Sequence, residues 1–268
     1  CKWKHGESSI VNVHGLSNKK KIIAVASNGT ASVLNVDTCA LVEEGVVVNL
    51  TGGENAQVKS SAVLQGTSSC EKLVIAIVRK EEEPQVLTLC RVNFVDKANV
   101  EQVQQIKLSL PAVQVITIEV GKIAVVYEKS IEILQYNPDT MDNLMVVATT
   151  RVIPNSQESS SIDKVTLCSP PLIIEQLKTQ SAAKEPFRPV LFVQESSKMQ
   201  IYTCILNCCG EKPVNEEQGM NTASIAVDEK YAQAIHTIVG VTADQHYFAM
   251  TSNGSVYLFK GSELIYKV

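Results

Sequence analysis

The turn Ser27-Asn28-Gly29 and the strand that follows it, in SNGTASVLNVDT, recur near the other end of the chain as SNGSVYLFKGSE. Asn-Gly is the dipeptide of a two-residue hairpin turn, because both central residues must tolerate positive φ. The apolar strand that precedes the turn has three more counterparts between the two copies: KLVIAIVRK at 72–80, GKIAVVYEK at 121–129 and RPVLFVQES at 188–196. With KIIAVASNG from 21 and HYFAMTSNG from 246 there are five such units, at steps of roughly 45 to 70 residues. A repeat of this length is one supersecondary unit that cannot bury its own apolar face and must stack on its neighbours.

Each unit reads as four strands. In the first these are SIVNVHGL (9–16), KKIIAVAS (20–27), TASVLNV (30–36) and ALVEEGVVV (40–48); in the fifth, AIHTIVGVT, HYFAMTS, SVYLFK and ELIYKV. The second strand of every unit is nearly all apolar, as expected of an inner strand covered on both faces, while later strands admit charges. Helical periodicity is weak, and even VDKANVEQVQQIKLSL (95–110) reads as a loop and outer strand because of its β-branched spacing and its place in the repeat. The expected fold is all-β, a β-propeller of four-stranded antiparallel blades occupying 1–268 as one domain or a portion of one. The approximate blades are 5–52, 53–110, 111–153, 164–225 and 232–268.

The first unit resembles a WD40 repeat. Lys4-His5-Gly6 stands where that family has its Gly-His turn, in reversed order, and SNGTASVLNVDTCALV stands where a family repeat has D-G-T-V-R-V-W-N-x-x-T-G-x-L-L. Leu34 takes the place of the family's Trp, Asn35 that of its Asp and Cys39 that of its Gly. In the family the His, Asp and Trp join strands by hydrogen bonds. Their loss implies a divergent propeller that relies more on apolar packing. The likeness is specific in the first and fifth units and rests on strand pattern and period in the middle three. If His5-Gly6 opens a blade, Cys1-Lys2-Trp3-Lys4 is the outer strand of an earlier one. Five units suffice to close a small ring, but the family more often uses seven, so the resemblance implies that they belong to a larger, seven-bladed propeller.

Composition narrows the function. With 45% hydrophobic and 19% charged residues the chain has enough apolar side chains for a core, and a net charge of −4 gives no general basic footprint for nucleic acid. No apolar run approaches the roughly 18 residues that span a bilayer, and CKWKHGESS lacks a signal-peptide core, so membrane insertion is not expected. The eight cysteines are scattered, and Cys90 and Cys204 fall in apolar strands where a thiol packs as a small hydrophobe, so an intracellular, reduced protein is expected. The sequons at Asn28, Asn49 and Asn253 favour secretion, but two of them are Asn-Gly turns that turn chemistry already explains.

The sequence carries no recognisable catalytic pattern. His5, His14, His236 and His246 have no metal-ligand spacing, and Cys204, Cys208 and Cys209 lack a companion His or second Cys pair. Neither a nucleophile elbow, nor a phosphate-binding Gly loop, nor H-E-x-x-H occurs, and no metal, cofactor or small-molecule substrate is expected. Three segments interrupt the period: the acidic tip Glu81-Glu82-Glu83-Pro84, the Ser-rich 154–163, and 208–224, which reads as a polar loop. The tip and the basic cluster Lys19-Lys20-Lys21 are the interaction candidates.

The expectation is a non-catalytic scaffold that holds other protein subunits of a large assembly, any contact with RNA being indirect. CKWKHGESSIVNV resembles a blade junction in WD-repeat subunits of the nucleolar small-subunit processome, through Cys1-Lys2-Trp3-Lys4 and Ser8-Ser9-Ile10, which implies ribosome biogenesis and a nucleolar location. The competing readings are a trafficking or ciliary coat subunit, with a helical solenoid after the propeller, and an extracellular receptor propeller with occupied sequons.

Overall fold

The computed structural model describes residues 8–15, 21–35, 47–51, 57–66, 72–79, 85–93, 99–119, 121–136, 144–151, 161–168, 190–195, 200–206, 220–226, 235–240, 246–251, 255–260 and 263–267. They form twenty strands in five sheets, with no helix among the described residues. The first sheet holds β1 (Ile10–Gly15), β2 (Lys21–Ala26), β3 (Thr30–Asn35) and β4 (Val47–Asn49); the second holds β5 (Val58–Gly66), β6 (Lys72–Arg79), β7 (Val86–Asn93) and β8 (Asn99–Lys107). The third holds β9 (Gln114–Glu119), β10 (Lys122–Val126), β11 (Ser130–Tyr136) and β12 (Leu144–Arg151). The fourth holds β13 (Ile162–Cys168), β14 (Val190–Glu195), β15 (Gln200–Leu206) and β16 (Met220–Ala226), and the fifth holds β17 (Ile235–Gly240), β18 (His246–Thr251), β19 (Val256–Lys260) and β20 (Glu263–Lys267). In every sheet the strands lie side by side in chain order, and pairings such as β1 with β2, β6 with β7 and β17 with β18 are antiparallel.

By compactness the chain divides into one unit of Cys1–Tyr127 with Ile133–Val146 and another of Glu128–Glu132 with Val147–Val268. In the first unit β5 has β1 on one side and β9 on the other; in the second, β13 lies beside β17.

The continuous apolar run of β6 follows from its position between two cores. Ile75 and Ile77 pack with Ile23, Val25, Val33 and Val48 of the first sheet and with Leu50 just after it. Val74, Ala76 and Val78 point the other way, into a core with Val115, Ile123, Val125 and Tyr127. Alternation by one residue therefore feeds both cores, and each position must be apolar. Strand β5 does the same by another device. A bulge between Val58 and Ser60 reverses its faces, so that Val58 joins the first core while Ala62 and Leu64 join the second.

Segment 95–110 does carry an outer strand, β8, whose residues pair with β7 from Val86↔Lys107 to Asn93↔Asn99. The polar-loop reading of 208–224 is corrected at its end. Met220 to Ser224 belong to β16, with Leu206↔Met220 and Tyr202↔Ser224 in register. A fourth strand is held by its backbone ladder and has an open edge, so a polar sequence such as MNTAS can occupy it.

Candidate functional site

The turn that opens the repeat is fixed from three directions. Gly29 has φ 82°, and its N–H donates to the Ala26 carbonyl at 3.0 Å. The Gly29 carbonyl in turn accepts the Leu50 N–H at 2.8 Å, and the Ser27 carbonyl accepts the Val58 N–H at 2.7 Å. Two Asx motifs meet here. Asn28 Oδ1 accepts Thr30 N–H at 3.1 Å and Thr30 Oγ1–H at 2.7 Å, and Asn49 Oδ1 accepts the same pair from Thr51 at 2.9 and 2.6 Å. Each is an asparagine closing on the residue two along, the geometry that Asn-x-Thr provides without any glycan.

Beside the turn opens a cavity of about 520 Å³, lined by Ser8, Ser9, Ser27, Asn28, Gln57 and Lys59 together with Val11 and Val58. Ser9 Oγ–H donates to Ser27 Oγ at 3.3 Å, and Ser9 also accepts the Ser27 N–H on its carbonyl at 2.8 Å. Among the described lining residues Lys59 is the one charged group.

Below the turn the first strands of neighbouring sheets are joined by side chains. Ser61, fully buried on β5, donates its N–H to Asn12 Oδ1 of β1 at 2.8 Å, and its Oγ lies 2.9 Å from His14 Nε2. Burial lowers the His14 pKa from 6.5 to about 4, so the ring is neutral at physiological pH. A serine beside a histidine invites comparison with a nucleophile and its base. Ser61 has no solvent access and sits within a strand, so its role is to join β1 to β5. At the next junction Ser60 Oγ accepts the Val115 N–H at 2.9 Å, and Thr117 Oγ1 both accepts from Val63 N–H at 3.0 Å and donates to the Val63 carbonyl at 2.8 Å. Behind the turn, Arg79 Nη2 donates to the Thr51 carbonyl at 3.4 Å. The buried Cys90 thiol is pushed up to about 11 by desolvation, against the opposing pull of Arg79, which leaves it protonated and inert.

Of the sequence candidates, Lys21 opens β2 and is partly buried. Lys19, Lys20, Glu81, Glu82 and Glu83 lie outside the described residues, as do His5 and Asn253. Among the described residues no three His, Cys, Asp or Glu side chains gather into a metal-binding group. The sequence pattern did not point to Asn12, Ser60, Ser61 and Thr117, and it raised His14 only as a metal ligand. The adjacent serines that precede the apolar Ala62-Val63-Leu64 of β5 were the available signal, since buried hydroxyls require partners.

No protein-family model and no curated protein match this chain. A solved structure that does is the WD40 β-propeller domain of Doa1, with a TM-score of 0.54 over 98% of this chain and 70% of that one, at 11% identity. The fold is a divergent WD40-like β-propeller. At so low an identity the likeness carries the fold and not the activity. Here Leu34 is buried opposite Ile22, and side-chain hydrogen bonds between neighbouring sheets include those of Asn12, Ser60, Ser61 and Thr117. Apolar packing is thus accompanied by polar junctions that the repeat pattern did not announce.

Proposed function

We propose that the chain is a non-catalytic scaffold that binds other protein subunits within a large assembly. The observation that carries this reading is the character of the fourth, outer strands of the WD40-like blades. Met145 and Val146 on β12 and Ile265 and Tyr266 on β20 are large apolar side chains between 48% and 63% exposed. Apolar groups held on open sheet edges favour association with other chains. The acidic tip Glu81-Glu82-Glu83 and the cluster Lys19-Lys20-Lys21 are proposed as further, charged contacts.

Ribosome biogenesis in the nucleolus is the specific setting we propose, and its support is the processome-like CKWKHGESSIVNV. The partners are then protein subunits, with RNA reached through them. Co-purification of the tagged protein from native cells at moderate salt tests both levels. Stoichiometric partners are expected. Elution alone at its own mass contradicts the scaffold reading, whereas partners drawn from a vesicle coat contradict only the ribosomal one.

A further inference from the structure

We infer that the cavity beside Ser27 is a recognition site for an oxyanion, a carboxylate or phosphate, carried on the side chain of a partner segment. The lining supplies donors. Asn28 Oδ1 is already occupied by Thr30, which leaves Nδ2 as the asparagine's free hydrogen-bonding group. Ser27 Oγ accepts from Ser9, which leaves the Ser27 hydroxyl proton to give. Ser8 and Gln57 add a further hydroxyl and amide, and Lys59 adds a positive charge with no carboxylate among the described lining residues.

A group that offers only acceptors and a negative charge matches such a set, because it can accept from these donors and neutralise the lysine. A cation would be repelled by Lys59, and an apolar group would make none of these hydrogen bonds. The backbone is also prepared in advance. Ser27 is held through both its N–H and its carbonyl, to Ser9 and Val58, so its hydroxyl requires no loop ordering on binding. The volume, about 520 Å³, exceeds what a single phosphate fills and leaves room for the residue that bears it. An acceptor-rich pocket on a chain of net charge −4 would repel such a ligand; this one offsets the general field locally.

The inference rests on the scaffold reading for the source of the ligand, but its test does not. The full chain, labelled with ¹⁵N, is titrated at constant ionic strength with inorganic phosphate, acetate, O-phosphoserine amide and neutral serine amide. Saturable shifts of the Ser27, Asn28 and Lys59 amides are expected with the anions and not with serine amide. Lys59→Met should weaken binding by about 10-fold and Ser27→Ala by about 3-fold, in line with the loss of a charge-assisted and a neutral hydrogen bond. Tighter binding of O-phosphoserine amide than of acetate identifies a phosphorylated segment as the source; the reverse order identifies an acidic one. Shifts that appear equally in Lys59→Met and in the parent overturn the proposal, and so does saturation by serine amide. Lys59→Gln serves as the second variant, because it keeps a polar side chain that can still donate a hydrogen bond while removing the charge. Since no partner is present, a negative titration removes the pocket alone, and a protein that co-purifies with nothing removes the scaffold alone.

Discussion

Acidification should weaken the fold through His14. In the folded protein the ring, 2.9 Å from Ser61 Oγ and held by burial at a pKa of about 4, stays neutral, while in the unfolded chain it protonates near 6.5. Between those values the unfolded state binds more protons. The stabilisation is therefore complete above pH 6.5 and is lost as pH falls toward 4. Integrating the two titrations from about pH 7.5 to about pH 4.5 gives about 2.5 kcal/mol, and partial solvent contact of the ring brings the figure nearer 2. Other groups also titrate in this range, so the measurement is a comparison. Urea unfolding is followed at both pH values for the parent and for His14→Gln, which keeps a polar partner for Ser61 but has no proton to gain. The parent should lose about 2 kcal/mol more than the variant over the interval. Equal losses would refute the reasoning and mean that the ring protonates in place, with Asn12 and Ser61 adjusting around it.

Val125→Asp and Ile75→Asp each place an unpaired carboxylate at a fully buried position, and loss of at least about 3 kcal/mol, read as loss of the cooperative urea transition, is expected. Gly29→Ala should cost about 2 kcal/mol, because φ is 82° and the new Cβ would come 2.4 Å from Thr51 Cγ2. Thr51→Ser in the same chain removes that methyl group and should restore part of the thermal midpoint; no restoration would place the whole cost in the backbone. Glu82→Lys should leave the midpoint nearly unchanged and reduce partner capture, and equal capture by parent and variant would remove the acidic tip from the interface.

The architecture was legible because period and turn chemistry are local. Asn28-Gly29 marked the hairpin, and the unbroken KLVIAIVR of β6 marked a strand with no solvent face. The end of 208–224 was misread because β16 is made by pairing with β15, which composition does not record. The junctions were hidden for a related reason. Ser61 becomes a joining residue only when β1 brings Asn12 and His14 to it, across a separation of nearly fifty residues. The cavity was hidden more deeply. Ser8, Ser27 and Lys59 come from three separate segments, and none has a pattern that points to the others.

The strand order within each sheet also has a meaning for synthesis. Every ladder joins strands that follow one another in the chain, so a sheet is complete as soon as its fourth strand has left the ribosome. Burial does not keep the same pace. Strand β6 can cover Ile75 and Ile77 at once, against a first sheet already made, but Val74, Ala76 and Val78 must wait in water until β9 and β10 have been translated. For that interval a strand with six consecutive apolar residues, Leu73 to Val78, presents one bare face, and a chaperone then has that face to protect.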